Sequence, residues 1–227
     1  MPGSGARDAG VALKISPLRQ LLLAATLWLP ACFFLWAVLA SAVVWPAVRI
    51  GGWLLTVEAS QAVESILQVG AQVEVNTRLI TQVDGRAAQL VLTSNPLIYA
   101  WCLPLFAGLV MATPIAASQR LKQFVVGLPI LWLVASWGLF FDVVKLIMFN
   151  AGPMGQAVML QAGWNADAVA LGYQFGYLIL PTVVPVTLWI ALNRRFLEAL
   201  IGWREEPEGG DDGHSASADA NDGEPLV

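Results

Sequence analysis

Four stretches of the chain run apolar for about the thickness of a bilayer, and the segment between the first two does not. Residues 21–48, 96–118, 124–149 and 168–192 are almost free of charge. At about 1.5 Å per helical residue, each reaches the roughly 30 Å of a hydrocarbon core. The second stretch opens on Asn95-Pro96, and proline sets an extended residue before it. This pattern predicts an α-helical integral membrane protein with four transmembrane helices. Residues 1–20, 119–123, 150–167 and 193–227 form its ends and short connections.

Residues 49–95 carry two different periods. Glu58, Gln61, Ser65, Gln68 and Gln72 recur at spacings of three and four, opposite Leu55, Ala59, Ala62, Val63, Ile66 and Leu67. That spacing predicts an amphipathic helix over residues 53–72. Val73, Val75, Thr77, Leu79, Thr81 and Val83 then alternate with mostly polar neighbours up to Asp84-Gly85, a strong hairpin turn. A turn there sets Leu79 opposite Leu90, Thr77 opposite Leu92 and Thr81 opposite Ala88, so one face is apolar and the other polar. The insertion thus reads as an amphipathic helix followed by a β-hairpin, each needing cover from the other or from a partner.

Composition supports the membrane class. Apolar residues make up 57% of the chain and charged residues 12%, with a mean hydropathy of +0.66. A soluble domain carries about a quarter charged residues. The net charge of −4 reflects an acidic, Gly- and Ser-rich tail after Trp203, which is expected to be disordered. Basic residues set the orientation. With both termini cytoplasmic, Arg7, Lys14, Arg19, Arg120, Lys122, Arg194, Arg195 and Arg204 lie inside, and only Arg49, Arg78, Arg86 and Lys145 outside. The excess inside predicts a multi-pass protein of a bacterial inner membrane, with the insertion in the periplasm. Leu29-Pro30-Ala31-Cys32 looks like a lipoprotein box and Ala40-Ser41-Ala42 like a signal-peptidase site. The first is followed by further apolar residues and the second by too long an apolar region, so the first helix is expected to stay uncleaved.

Candidate chemistry is sparse. A nucleophilic Cys102 would need a histidine or cation to hold it as thiolate. The one histidine, His214, lies in the tail, so Cys102 and Cys32 read as small buried hydrophobes. Asp142 and Lys145, three apart on one helix, can pair with each other near the outer surface. A transporter would need more polar groups at mid-depth than Gln174. Gly108, Ala112 and Ala116, and likewise Ala168, Gly172 and Gly176, recur every four residues. Small residues at this spacing let helices approach closely, within this chain, against a second copy or against another protein. No metal spacing, cofactor loop or nucleic-acid patch is present in the sequence.

The run WLPACFFLWAVLASAVVWPAVRIGGWLL, the alternating insertion, and SNPLIYAWCLPLFAGLVMATP with its Asn95-Pro96-Leu97-Ile98-Tyr99 together resemble the exosortase H-associated membrane protein family of Gram-negative bacteria. The resemblance implies a small inner-membrane companion of an exosortase, a multi-span thiol transpeptidase that sorts proteins bearing a C-terminal motif, helix and basic cluster. Exosortase activity uses a Cys, an Arg and a His within the membrane protein, and this sequence has no such His. It therefore resembles the companion, from which no catalytic residue carries over. The expected role is a non-enzymatic accessory subunit that docks the transpeptidase or its sorted substrate, without a cofactor. Asn95, Pro96 and Tyr99 would orient the junction, and Asp142 and Lys145 would mark a contact. The alternatives from other classes are a membrane thiol enzyme using Cys102 and a small transporter using Asp142.

Overall fold

A computed structural model describes residues 17–83 and 86–205. The expected acidic tail, His214, most of the N-terminal segment and the Asp84-Gly85 turn lie outside those residues. The chain begins with α1 (Pro17–Val38) and α2 (Ala40–Glu58). They bend at Leu39 without losing the helical bonding: the Leu39 N–H donates to the Leu35 carbonyl and the Val43 N–H to the Leu39 carbonyl. Three strands follow, β1 (Val63–Val69), β2 (Gln72–Val83) and β3 (Arg86–Ser94). Next come α3 (Leu97–Ala100) and α4 (Cys102–Ala112), then the long α5 (Ala117–Lys145), which widens into a π-helical turn over Leu146–Asn150. The chain continues through α6 (Gly152–Gln161), α7 (Ala166–Gln174), a second π turn over Phe175–Ile179, α8 (Leu180–Leu192) and α9 (Arg194–Glu205).

Side-chain pairing gives the directions. Val43 meets Trp132 and Ala47 meets Ser136, so α2 runs parallel to α5. Tyr99 covers Gly138, the Cys102 thiol reaches the Leu131 carbonyl and Phe106 covers Gly127, so α3–α4 runs against α5. Gly176 abuts Gly138 and Asn193 bonds Gln123, so α7–α8 also runs against it. The apolar part is therefore an up-down-up-down bundle whose centre is α5. Four stretches are long and apolar enough to cross a membrane: Leu18–Val38, Ala40–Glu58, Ala117–Asn150 and Ala166–Leu192. Leu97–Ala112 is a shorter apolar helix.

Two segments differ from the sequence expectation. The helix expected over residues 53–72 stops at Glu58, and residues 63–69 form β1. Gly70, at φ +62°, turns the chain so that Val69 pairs with Gln72, and pairing with β2 satisfies the backbone. Ile66 and Gln68 then face α2: Ile66 covers Gly52, and the Gln68 amide donates to the Ser41 carbonyl at 2.8 Å. The insertion is thus a three-stranded antiparallel meander, and the amphipathic helix is replaced by a strand. The second apolar run is also shorter as a helix than residues 96–118. Pro114 forces Thr113 into an extended conformation (φ −75°, ψ 130°), ending α4 at Ala112.

The expected hairpin register holds next to the turn, where Thr81 pairs with Ala88. A shift between Asn76 and Ile80 moves it further out, and Val75, instead of Thr77, pairs with Leu92. Thr77 stabilises the irregularity, its hydroxyl donating to the Leu90 carbonyl at 2.6 Å and accepting from the Leu79 N–H at 3.2 Å. The alternation survives the shift: Val73, Val75, Thr77 and Leu79 are all buried on one face.

Candidate partner-contact site

The sheet enters the bundle with almost no linker. Ser94 ends β3, and Leu97 begins α3 two residues after Asn95. The Asn95 side-chain oxygen accepts from the Leu97 N–H at 3.1 Å, and the Tyr99 N–H donates to the Pro96 carbonyl at 3.1 Å. This local bonding starts the helix without slack. It drives Tyr99 into the bundle, where its ring lies on Gly138 and would overlap any side chain there.

Directly above sits a polar node. The Ser94 hydroxyl donates to Asp142 Oδ2 at 2.6 Å, and Lys145 Nζ lies 3.1 Å from Asp142 Oδ1. The Tyr99 hydroxyl interacts with both Asp142 and Tyr173. Lys145 Nζ also stands 3.9 Å from the centre of the Tyr173 ring, which stacks in parallel on Tyr177 at 5.9 Å. Asp142 is 8% exposed, so its charge relies on these partners more than on water. Cation–π attraction adds a further hold on the ammonium. The sheet, α3, α5 and α7 meet here around the Asp142–Lys145 pair.

Beyond Tyr177 the surface opens into a groove of about 610 Å³, lined by Trp36, Asn95, Ile98, Trp101, Tyr177 and Thr182, among others. The Trp36 indole N–H is buried and has no hydrogen-bond partner among the described residues. The groove is mostly aromatic and apolar with a few polar groups, a composition suited to a side chain or helix edge from elsewhere.

The structure brings Asn95, Pro96, Tyr99, Asp142 and Lys145 into one neighbourhood. Ser94, Gly138 and Tyr173 belong to it as well, and sequence reading passed over them. Ser94 stood beside the noted Asn-Pro pair and Gly138 is a glycine inside an apolar helix, so each left a trace. Tyr173 left none.

Of the small residues, Gly108 meets Leu29 of α1, while Gly172 and Gly176 meet Phe141 and Gly138 of α5. Ala112 is buried, and Ala168 and Ala116 are exposed. Ala116 precedes α5 in extended backbone, off the helix that carries Gly108 and Ala112. Cys102 is fully buried, its thiol aimed at the Tyr99 and Leu131 carbonyls at 3.5 and 3.8 Å. Neither cysteine is in a disulfide. Gln174 faces outward from its helix.

Comparison with known proteins gives one family. Residues 15–196, most of the chain, match the exosortase H-associated membrane protein family. No curated protein and no solved structure matches the chain.

Proposed function

The chain belongs to the exosortase H-associated membrane protein family and is a multi-pass membrane protein, and from that premise we propose that it is a non-enzymatic docking subunit for the exosortase or its sorted substrate. The observation that carries this reading is the path from the sheet to the aromatic groove. Ser94 is tied to Asp142, Asp142 to Lys145, Lys145 to Tyr173, and Tyr173 stacks on Tyr177 at the groove wall. A partner in the groove meets a surface whose shape is already fixed, which lowers the ordering cost of binding.

Placement follows from physical argument. Open sheet edges carry unpaired backbone groups and do not occur in lipid-exposed hydrocarbon, so the sheet lies beyond the membrane core. The sheet reaches α2 as far down as Ser41, so α2 continues the first pass outward along the sheet and adds no separate crossing. Arg120, Lys122, Arg194 and Arg195 cluster at the opposite end. By the positive-inside rule that end is cytoplasmic and the sheet periplasmic, in a bacterial inner membrane.

Photo-crosslinking in native membranes tests the role. A crosslinker at Ile98, exposed on the groove wall, is expected to yield an adduct with the sortase or with a protein carrying its sorting tail. A folded, membrane-inserted chain giving no such adduct would count decisively against docking here. Orientation has its own check. A cysteine placed at Arg78 should react with an impermeant thiol reagent from the periplasmic face, and reaction solely from the cytosol would reverse the topology.

A further inference from the structure

We propose that the basic end of the bundle holds the phosphodiester headgroup of an anionic phospholipid, in a groove between the first turns of α5 and the bend joining α8 to α9. The groove encloses about 570 Å³, and its lining includes Lys122, Arg194 and Arg195 and no carboxylate. Its floor is fixed. The Gln123 amide donates to Asn193 Oδ1 at 2.8 Å, and Asn193 Nδ2 donates back to Gln123 Oε1 at 3.2 Å and to the Trp189 carbonyl at 2.9 Å. Both amides are buried, so the groove is a standing feature of the packing between two helices.

Its charge is only partly compensated. Arg194 pairs with Glu198, but Lys122 and Arg195 have no acidic partner among the described residues. Two residues before Lys122 and outside the groove lining, Arg120 donates to the Thr113 carbonyl at 3.2 Å while its Nε is buried without a partner among the described residues. Two cations without acidic partners in one groove favour an anion, and guanidinium and ammonium groups at a helix end suit phosphate oxygens.

The surroundings say which anion. Val126, in the groove wall, starts an exposed stripe that continues up α5 through Ile130 and Leu133 at helical spacing. A polar cup at the foot of an apolar track fits an amphiphile, its headgroup in the cup and its acyl chains along the stripe. Inorganic phosphate would use only the cup. So would the chain's own acidic C-terminal segment, whose large apolar residues are confined to its last positions. This assignment stands independently of the docking role.

The test uses the full chain in bilayer nanodiscs of phosphatidylcholine, with or without phosphatidylglycerol. Amine labelling of Lys122 is read by mass spectrometry, with Lys14 and Lys145 as internal references. Phosphatidylglycerol is expected to shield Lys122 several-fold more than phosphatidylcholine does. The Lys122→Gln, Arg195→Gln double variant should bind phosphatidylglycerol about thirty-fold more weakly, at roughly five-fold per charge. The charge-keeping pair Lys122→Arg, Arg195→Lys should bind as the wild type, which separates charge from folding. Three results would each overturn the proposal: equal retention of the two lipids, shielding in phosphatidylcholine alone (the chain's own tail as occupant), or equal shielding by inorganic phosphate in detergent.

Discussion

The most apolar parts of α1 and α5 have the same hydropathy and different surroundings. Over their most apolar windows both average 2.1, yet none of the α1 window is buried within the protein while 44% of the α5 window is. What separates them is the grain of the sequence. The α1 surface is studded with large exposed groups, among them Leu22, Leu23, Leu27, Phe34 and Leu35. In α5, small or hydrogen-bonding residues, namely Gly127, Ala135, Ser136, Gly138 and Asp142, share the inner face with Leu131, Leu139 and Phe140. Bulk apolarity carries a helix into lipid, where tails are as apolar as leucine. Close backbone approach and hydrogen bonds decide what sits at the centre.

That contrast can be broken most severely at Gly138. It lies under the Tyr99 ring, and the Gly138 Cα is 2.9 Å from where a Cβ on Gly176 would stand. Gly138→Leu is expected to cost about 3 kcal/mol or more, read as loss of the monodisperse species in size-exclusion chromatography. A wild-type elution profile would show that α5 is not the central helix.

The next effect sharpens the contrast with one chemical change made on both helices. Leu131 on α5 is 0% exposed and Leu23 on α1 is 58% exposed. Leu131→Ala should lower stability by about 2–3 kcal/mol in a reversible detergent-unfolding assay, because its cavity cannot be filled by lipid. Leu23→Ala should leave the transition unmoved. Equal losses would mean that α1 is covered as thoroughly as α5. Asp142→Asn keeps the volume but leaves Lys145 without its counter-charge, and about 2 kcal/mol is expected, below the cost for a fully buried pair since Lys145 reaches water. The smallest change is Ser136→Ala, which removes a hydroxyl whose single proton is shared between the Trp132 carbonyl at 2.6 Å and the Ala47 carbonyl at 3.1 Å and should cost about 1 kcal/mol. Thermal melts in one detergent check both.

The sequence announced some of this and hid the rest for identifiable reasons. The Asp142 and Lys145 pair was readable because three residues apart on a helix is a local relation. Ser94, 48 residues from Asp142, was not, since nothing in a single sequence reports contacts at that distance. The β2–β3 pairing was readable near its turn, where geometry is local, and altered past the Thr77 irregularity, where a side chain decides. The strand β1 was misread because Ser65 and Gln68 within it fall into a helical period with the polar residues at 58, 61 and 72 on either side. Gly70 was the overlooked marker, and Val63, Ile66 and Val69 are β-formers that should have raised the strand's standing. The groove beside Asn95 was not readable at all, as its walls come from α1, α3 and α8.

Because only Asn95 and Pro96 separate the last strand residue from α3, the sheet behaves as a lever with a very short arm. A partner that tilts the strands has no loose chain to absorb the motion. Either the Ser94 hydroxyl pulls away from the α5 carboxylate, or Tyr99 shifts over its glycine. Any tilt of the sheet is thereby passed directly to α5, the helix on which the rest of the bundle packs.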